Sequence, residues 1–514
     1  MKLSNYDNIN FAQPIITWAK HQPDRVAIYA EGAAITWREL NNRANRVAWA
    51  AKGMGLKKGD VVALMLKTQP EYLEVTYGLA KVGIGLVLLN YRLAPGEINY
   101  ILNDSGSKKL FFGAEFLDVV EEARKELTDL GDGDFIVIGG EAPGGCQSYE
   151  NIISGASDAE PDLEATANDL LHLMYTSGTT GLPKGAVRTH GNNMWITAQG
   201  LYHYGYTRDS IHIVAGPMYH LGPGGFAWMQ LAAGGTLVMQ KDFHPRNYLK
   251  LIEKYKVTHL WLVPVMLNMV ATLPDEIKEK YDLSSVRVIT TSGSALQTEV
   301  RQRARKTFPG SVHNDFYGST EFGVGLTIND YDGRRKEACV GLPGFGANAR
   351  ICGPDGKEVA RGEIGELWIK HPGVCAGYHN KPEATAARFK DGWVSCDDLA
   401  RQDEEGYYYI VDRKSDMIIS GGMNVYPAEV ENVLYNHPKV VEAAVIGVPD
   451  PKWQEAVKAY IVLKPGSEAT QEEIVGFCRG KIAAYKIPKV VEFVAELPKT
   501  SSGKILKREL RLRS

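Results

Sequence analysis

Apolar runs alternate with helical stretches along most of this 514-residue chain, and the alternation predicts an α/β protein with mostly parallel sheets. Two further observations refine that class. Glycine and proline punctuation with short strand patterns over 339–411 predicts a small antiparallel barrel, and a renewed mixed rhythm after residue 412 predicts a small α+β domain. A chain this long exceeds one compact core, so at least two domains are expected. The charged turn 412–416 is the expected boundary, giving residues 1–412, with the barrel-like part at 339–411, and residues 413–514.

Each element has its own pattern. Residues 37–54 read as an amphipathic helix, 60–66 as a short apolar strand after a Gly-Asp turn, 70–82 as a helix opened by Pro70, and 84–89 as a strand. The strand rhythm returns at 211–214, 236–239, 259–263 and 286–290. Strands at 365–370 and 406–411 belong to the barrel-like part. The last domain should contain a helix at 427–436, strands at 440–447 and 457–463, and a helix at 471–483.

Composition and charge narrow the function. Hydrophobic residues at 44% and charged residues at 23% are ordinary for a soluble globular protein. With 58 basic against 61 acidic side chains, a net charge of −3 is too balanced for non-specific nucleic-acid binding. The basic group Lys504, Lys507, Arg508, Arg511 and Arg513 reads as a solvated helix face, with an anionic contact as the alternative. The six cysteines show no Cys-x-x-Cys pair and read as single thiols. The N-terminus has no signal-peptide pattern, and the most apolar stretch, 260–273, is short and broken by Pro264 and Asn268. A cytoplasmic location is expected.

The most informative segment is Tyr175-Thr176-Ser177-Gly178-Thr179-Thr180-Gly181-Leu182-Pro183-Lys184-Gly185. Glycines let backbone N–H groups approach a polyphosphate, hydroxyls add hydrogen bonds, and the lysine adds charge. The spacing from Gly178 to Lys184 is not that of a Walker A loop. Dinucleotide-like triplets at Gly222-x-Gly224-x-x-Ala227 and Gly344-x-Gly346-x-x-Ala349 do not clearly follow a strand and open a helix, have no convincing ribose acid at the right distance, and are discounted.

Together with this loop come, in order, Thr291-Ser292-Gly293-Ser294-Ala295-Leu296, Tyr317-Gly318-Ser319-Thr320-Glu321, Gly392-Trp393 through Asp398, Asp412-Arg413-Lys414, Gly422-Met423-Asn424-Val425-Tyr426-Pro427 with Glu429 and Glu431, and Pro498-Lys499-Thr500-Ser501-Ser502-Gly503-Lys504-Ile505. Over nearly the full chain this series resembles the adenylate-forming superfamily, and within it the AMP-forming acyl-CoA synthetases. The resemblance implies two doubly wound α/β subdomains plus the barrel in the large domain, a mobile small domain, ATP, Mg²⁺ and coenzyme A as ligands, and ligation of an acid to a thiol through an acyl-adenylate.

It also implies residue roles. Thr176, Ser177, Gly178, Thr179, Thr180 and Lys184 would hold phosphates. Gly293, Ser294, Ala295, Leu296, Asp315, Phe316 and Tyr317 would form the adenine pocket, with Gly318 and Ser319 also binding the nucleotide. Thr320 would meet the α-phosphate, and Glu321 would hold Mg²⁺. Asp398 would take the ribose hydroxyls with Ile410 and Arg413 nearby, although Cys396-Asp397-Asp398 stands where Thr-Gly-Asp is usual. Lys504 would bridge the substrate carboxylate and the nucleotide.

For the acyl group the resemblance implies a pocket of Tyr219, His220, Leu221, Gly224, Gly225, Pro264, Met266, Gly293, Gly318 and Val324. His220 would gate it beside the carboxylate, a packed core histidine being the alternative. Ser420, Gly421, Gly422 and Met423 would wall the pantetheine tunnel, and Ser415 would be the hinge, where a charged residue is more usual. No acidic residue in the acyl set would pair with a substrate amine, so the expected substrate is a medium-chain, cyclic or aromatic carboxylic acid. Because the chain stops soon after Lys504, free coenzyme A is the expected acceptor, with reversal to make ATP allowed and a homodimer as the candidate assembly. The alternatives are an enzyme that loads a separate carrier protein and a non-catalytic nucleotide or acyl-CoA sensor.

Overall fold

The computed structural model describes residues 9–176, 182–294, 296–330, 336, 338–420, 422–499 and 505–513. Its contacts divide into two compact units, residues 1–349 with 369–394, and residues 350–368 with 395–514. The strands Asn348–Cys352, Gly365–Lys370 and Trp393–Gln402 each carry the chain across the division.

In the first unit two sheets organise the core. One has the spatial order Leu342–Pro343, Gly323–Ile328, Val312–Ser319, Val288–Thr291, His259–Leu262, Ile211–Val214, Thr236–Met239, Val26–Ala30 and Ala33–Thr36. From Val312–Ser319 to Val26–Ala30 every pairing is parallel, and antiparallel strands close both edges. The other sheet runs Cys146–Ser148, Phe135–Ile138, Leu110–Gly113, Val61–Met65, Gly85–Leu88, Leu170–Thr176 and Lys184–Thr189, parallel except for the last pair. Val61–Met65, Gly85–Leu88 and Phe135–Ile138 are buried at every position. Strands covered on both faces need unbroken apolar runs rather than alternation, which is how these segments read in the sequence.

Local chemistry sets the helix starts. Thr36 and Glu39 form a reciprocal capping box at the head of Trp37–Gly53, and Thr189 with Asn192 does the same for His190–Tyr204. Pro70, Pro245, Pro264 and Pro427 each open a helix, where the missing N–H has no intrahelical partner to lose. The helices Trp37–Gly53 and Pro70–Lys81 cross at Gly78, where a Cβ would lie 2.6 Å from the Ala44 carbonyl oxygen. Only glycine permits that approach.

The second unit is α+β. Its sheet runs Met423–Val425, Ile418–Ser420, Gln454–Leu463 and Val440–Asp450, with Val490–Phe493 added in parallel to Gln454–Leu463. Trp393–Gln402 pairs antiparallel with Tyr408–Arg413, as the Gly-punctuated region leads one to expect. The helix expected at 471–483 stops at Cys478, because Arg479 turns extended and Gly480 adopts φ +76°. The strand expected at 286–290 is Val288–Thr291, since the Val286 N–H closes a turn onto the Leu283 carbonyl. The basic C-terminal helix, Lys507–Leu512, is not simply a solvated face. Lys507 pairs with Glu431 at 2.8 Å, and Arg511 pairs with Asp416 at 2.8 Å. Among the described residues no helix is long and apolar enough to cross a membrane.

One buried cation anchors a long connection in the first unit. The Lys81 ammonium donates to Asn41 Oδ1 at 2.7 Å, Asn45 Oδ1 at 2.5 Å and Glu160 Oε1 at 2.6 Å. Asn45 Nδ2 donates to the Asp158 carbonyl, and the Glu164 N–H donates to the Lys81 carbonyl. Burial lowers the Lys81 pKa to about 8, against the opposing pull of Glu160. Replacing Lys81 with methionine leaves two amide oxygens and a carboxylate without their donor and should cost about 2 kcal/mol. The urea midpoint should fall and Glu-C protease should cut at Glu164, which precedes Ala165; an unchanged midpoint with no new cleavage would count against the clamp.

Candidate active site

The carboxyl ends of the parallel strands Ile211–Val214, His259–Leu262, Val288–Thr291 and Val312–Ser319 carry most of the residues singled out in the sequence, as ligand sites on open α/β sheets do. Tyr219 and His220 follow the first, with Leu221, Gly224 and Gly225 on the helix Leu221–Ala232. Pro264 and Met266 open the helix after the second. Gly293 and Ser294 form an exposed turn after the third. Asp315, Phe316, Tyr317, Gly318 and Ser319 lie on the fourth, and Thr320 and Glu321 form the turn into Gly323–Ile328, which carries Val324.

Thr176 and Lys184 face each other across an antiparallel hairpin. This fixes the two ends of the glycine and hydroxyl loop, whose Ser177, Gly178, Thr179 and Thr180 lie outside the described residues, as do Ala295, Gly421 and Lys504. The return strand Lys184–Thr189 meets residues 375–379. The Val187 N–H donates to the Gly377 carbonyl, the His379 N–H donates to the Gly185 carbonyl, and Ala186 bridges Tyr378. Lys184 Nζ sits 5.6 Å from the centre of the Tyr378 ring. The Tyr378 hydroxyl donates to Glu321 Oε1 at 2.8 Å, and the Cys375 N–H donates to the Glu321 carbonyl at 2.7 Å. One short segment therefore ties the loop's base to the acidic turn.

Behind that turn lies Arg188, fully buried. Its guanidinium donates to the Thr320 carbonyl at 2.9 Å, the Gly373 carbonyl at 3.2 Å and Asn193 Oδ1 at 3.2 Å. Burial lowers its pKa to about 10, which leaves it charged at neutral pH. The Asp315 carboxylate accepts from Thr291 Oγ1 and from Arg301, and Thr291 and Asp315 are register partners. Gly318 has no room for a side chain, since a Cβ there would come within 2.1 Å of the Gly323 carbonyl oxygen. Tyr317 packs on Phe322 with ring centres 5.6 Å apart.

On the acyl side, Tyr219 touches the His220 ring at 4.4 Å and the Tyr91 ring at 5.3 Å, and Tyr91 stacks on Phe116. Gly224 passes so close to the Met218 carbonyl that a Cβ would lie 2.6 Å from its oxygen.

In the second unit, Asp398 and Arg413 are register partners across the hairpin, with Arg413 Nε 3.5 Å from Asp398 Oδ1. Ile410 lies on the same strand. Asp397 adopts φ +64° while its carbonyl accepts from the Lys414 N–H at 2.7 Å. The unusual aspartate thus occupies a left-handed position, which explains why glycine suits it and why Asp is among the few tolerated substitutes. At the expected hinge, the Ser415 carbonyl accepts from Arg511, while the Asp416 and Met417 N–H groups both donate to the Arg413 carbonyl. Ser420 is buried, Met423 is half exposed, and Gly422 takes φ +78°.

Comparison with known proteins places these motifs in context. Residues 15–379 match the model of the AMP-binding enzymes, and residues 429–504 match that of their C-terminal domain. The chain belongs to the AMP-binding enzyme family. Within the family it is similar to a feruloyl-CoA synthase of Amycolatopsis sp, 38% identical over 96% of this chain and 97% of the relative. It is also similar to the long-chain-fatty-acid–CoA ligase FadD13 of Mycobacterium tuberculosis, 35% identical over 95% of each chain. The o-succinylbenzoate CoA synthetase of Bacillus subtilis, solved with ATP and a magnesium ion, superimposes with a TM-score of 0.85 at 29% identity over 97% of this chain and 98% of that one.

The donor set at Glu321 fits magnesium. Among the described residues no cluster of three or more His, Cys, Asp or Glu forms a cage, and a single carboxylate supplemented by phosphate oxygens and water is the usual magnesium arrangement in nucleotide sites. Arg188 and Tyr378 escaped the sequence reading. Neither stands in a recognisable spacing; the one available signal was that Arg188 sits on the strand leaving the loop.

Two expected outcomes follow from this geometry. Tyr378→Phe removes the donor that orients Glu321 and should lower pyrophosphate release about tenfold, with a higher magnesium concentration needed for half-maximal rate; an unchanged magnesium requirement would argue against the orienting role. Asp397→Val should cost about 1–2 kcal/mol for its left-handed backbone, whereas Asp397→Gly should cost nothing, as read from thermal midpoints.

Proposed function

We propose that this protein joins a carboxylic acid to coenzyme A in two half-reactions. The acid's carboxylate attacks the α-phosphorus of ATP, breaking the bond to pyrophosphate and leaving an acyl-adenylate. The coenzyme A thiol then attacks the acyl carbon and expels AMP, its proton passing to solvent. The observation that carries this reading is the tie through residues 375–379, which sets the base of a polyphosphate-type loop beside Thr320 and Glu321.

Most of the catalysis in the first half is positioning and charge stabilisation. Ser177, Gly178, Thr179, Thr180 and Lys184 hold the β- and γ-phosphates, Thr320 meets the α-phosphate, and Asp398 with Arg413 takes the ribose. Glu321 would hold magnesium, which when bound would supply Lewis-acid charge to the phosphates. Lys504 brings a cation to the meeting point of two anions, where repulsion is the main barrier to attack. The small domain, residues 413–514, turns about Ser415, withdrawing Lys504 and presenting Ser420 to Met423 to the pantetheine arm. The substrate class, a medium-chain, cyclic or aromatic acid, is supported by an acyl set with no acidic side chain.

A pyrophosphate-release screen over carboxylic acids, with and without coenzyme A, tests the reaction. Acid-dependent release with acyl-CoA formation is expected; release without consumption of coenzyme A would point to a carrier-protein acceptor, and no release with any acid would sink the reading. Lys504→Ala should reduce adenylate formation about a hundredfold or more while sparing thioester formation from supplied acyl-adenylate. Equal loss in both halves would overturn the role given to Lys504.

A further inference from the structure

The residues expected around the acyl group come from four strand ends, yet the largest side chain among those ends is absent from that set. Trp261 projects from His259–Leu262, the strand between Ile211–Val214 and Val288–Thr291 in the sheet. Its indole Nε1 donates to Ser292 Oγ at 3.1 Å, one residue before the exposed Gly293. The far edge of the ring lies against Gly222, two residues after His220. A Cβ at Gly222 would sit 2.5 Å from the indole Cζ2 and 2.7 Å from Cη2. Gly216 lies near the same ring, where a Cβ would be 3.8 Å from Cζ3.

The indole is therefore held from several sides. Its face stacks on Phe226 with ring centres 5.9 Å apart, and Phe226 in turn stacks on Phe316 at 5.8 Å. Trp261 keeps 7% of its surface open. The buried cluster that contains it is packed by Leu221, Val263 and Phe316, apolar residues only partly buried, so this cluster has an open side. The two groups that touch the indole, Gly222 and Ser292, stand two residues after His220 and one before Gly293. The volume a side chain at 222 would claim has been ceded to a tryptophan from the neighbouring strand, and a ring fixed by a hydrogen bond and a stack does not swing aside at low cost.

We propose that Trp261 is the floor of the acyl pocket and limits the acid to a compact one, a chain at the short end of the medium range or a single flat ring whose far end meets the indole. This rests on the acid–CoA ligase reading and narrows its substrate. Depth, and not polarity, is the selecting property. An acid that reaches the indole gains an aromatic surface, and a longer one cannot bring its carboxylate to His220 and the nucleotide.

The test is acid-dependent pyrophosphate release over a ladder of straight-chain acids from butanoate to dodecanoate, with benzoate and 4-phenylbenzoate as ring probes. Wild type should prefer the compact members. Trp261→Ala should move the optimum to longer acids and raise kcat/KM for 4-phenylbenzoate relative to benzoate by about tenfold or more, mainly through KM for the acid, with the KM for ATP unchanged. Trp261→Phe, which keeps an aromatic ring against Phe226, should shift the optimum part of the way; it carries the test alone if the alanine variant does not fold. Gly222→Ala, which presses the ring into the pocket, should shift the optimum the opposite way. An active wild type whose ranking is the same in all variants overturns the assignment of Trp261 alone, as does a wild type that already prefers dodecanoate. A wild type that releases no pyrophosphate with any acid overturns the ligase reading and the substrate proposal together.

Discussion

The guanidinium of Arg188 is the constraint on which the candidate site depends. Taking such a group out of water costs several kcal/mol unless its donors are met. Here they are met by the Thr320 and Gly373 carbonyls and by Asn193. Those acceptors belong to the turn that presents Glu321, the approach to the Tyr378 segment, and the helix that follows Lys184–Thr189. Moving any one of them orphans a buried charge, so three stretches distant in sequence are locked to one another. The same cation lies behind the turn proposed to face the phosphates, where a fixed positive field would be useful and would need no reorganisation during reaction.

Around that lock the site shows a division of labour common to phosphate chemistry. Groups that would touch a nucleotide lie on turns and strand ends, and groups that orient them lie one layer deeper. Tyr378 orients Glu321, and Thr291 with Arg301 holds Asp315. The close backbone passages at Gly318 and Gly224 serve the same end by removing side chains where a ligand or a neighbouring strand must come near.

Much of this was legible from residue order alone, for identifiable reasons. Strands such as Ile211–Val214 and Thr236–Met239 are short apolar runs between turns, a signal strong enough to fix both ends. The motifs that placed the chain in its family were readable because they are carried by contiguous residues. Arg188 and Tyr378 were not, because their roles exist only once the strand Lys184–Thr189, the turn at Thr320 and Glu321, and residues 373–379 are side by side. Trp261 stood only inside an expected strand; its proposed bearing on the acyl pocket comes from the missing side chain at Gly222, on the helix that follows a neighbouring strand. The inward turn of Lys507 and Arg511 depended likewise on carboxylates far away in sequence.

The chain passes between its two compact units three times, each passage lying inside a strand. A single genetic crossover near residue 412 would therefore exchange only part of the smaller unit, leaving residues 350–368 and 395–411 inherited from the other parent. A gene segment that carries the whole smaller unit must therefore be taken up in two pieces, one for residues 350–368 and one from residue 395 onward.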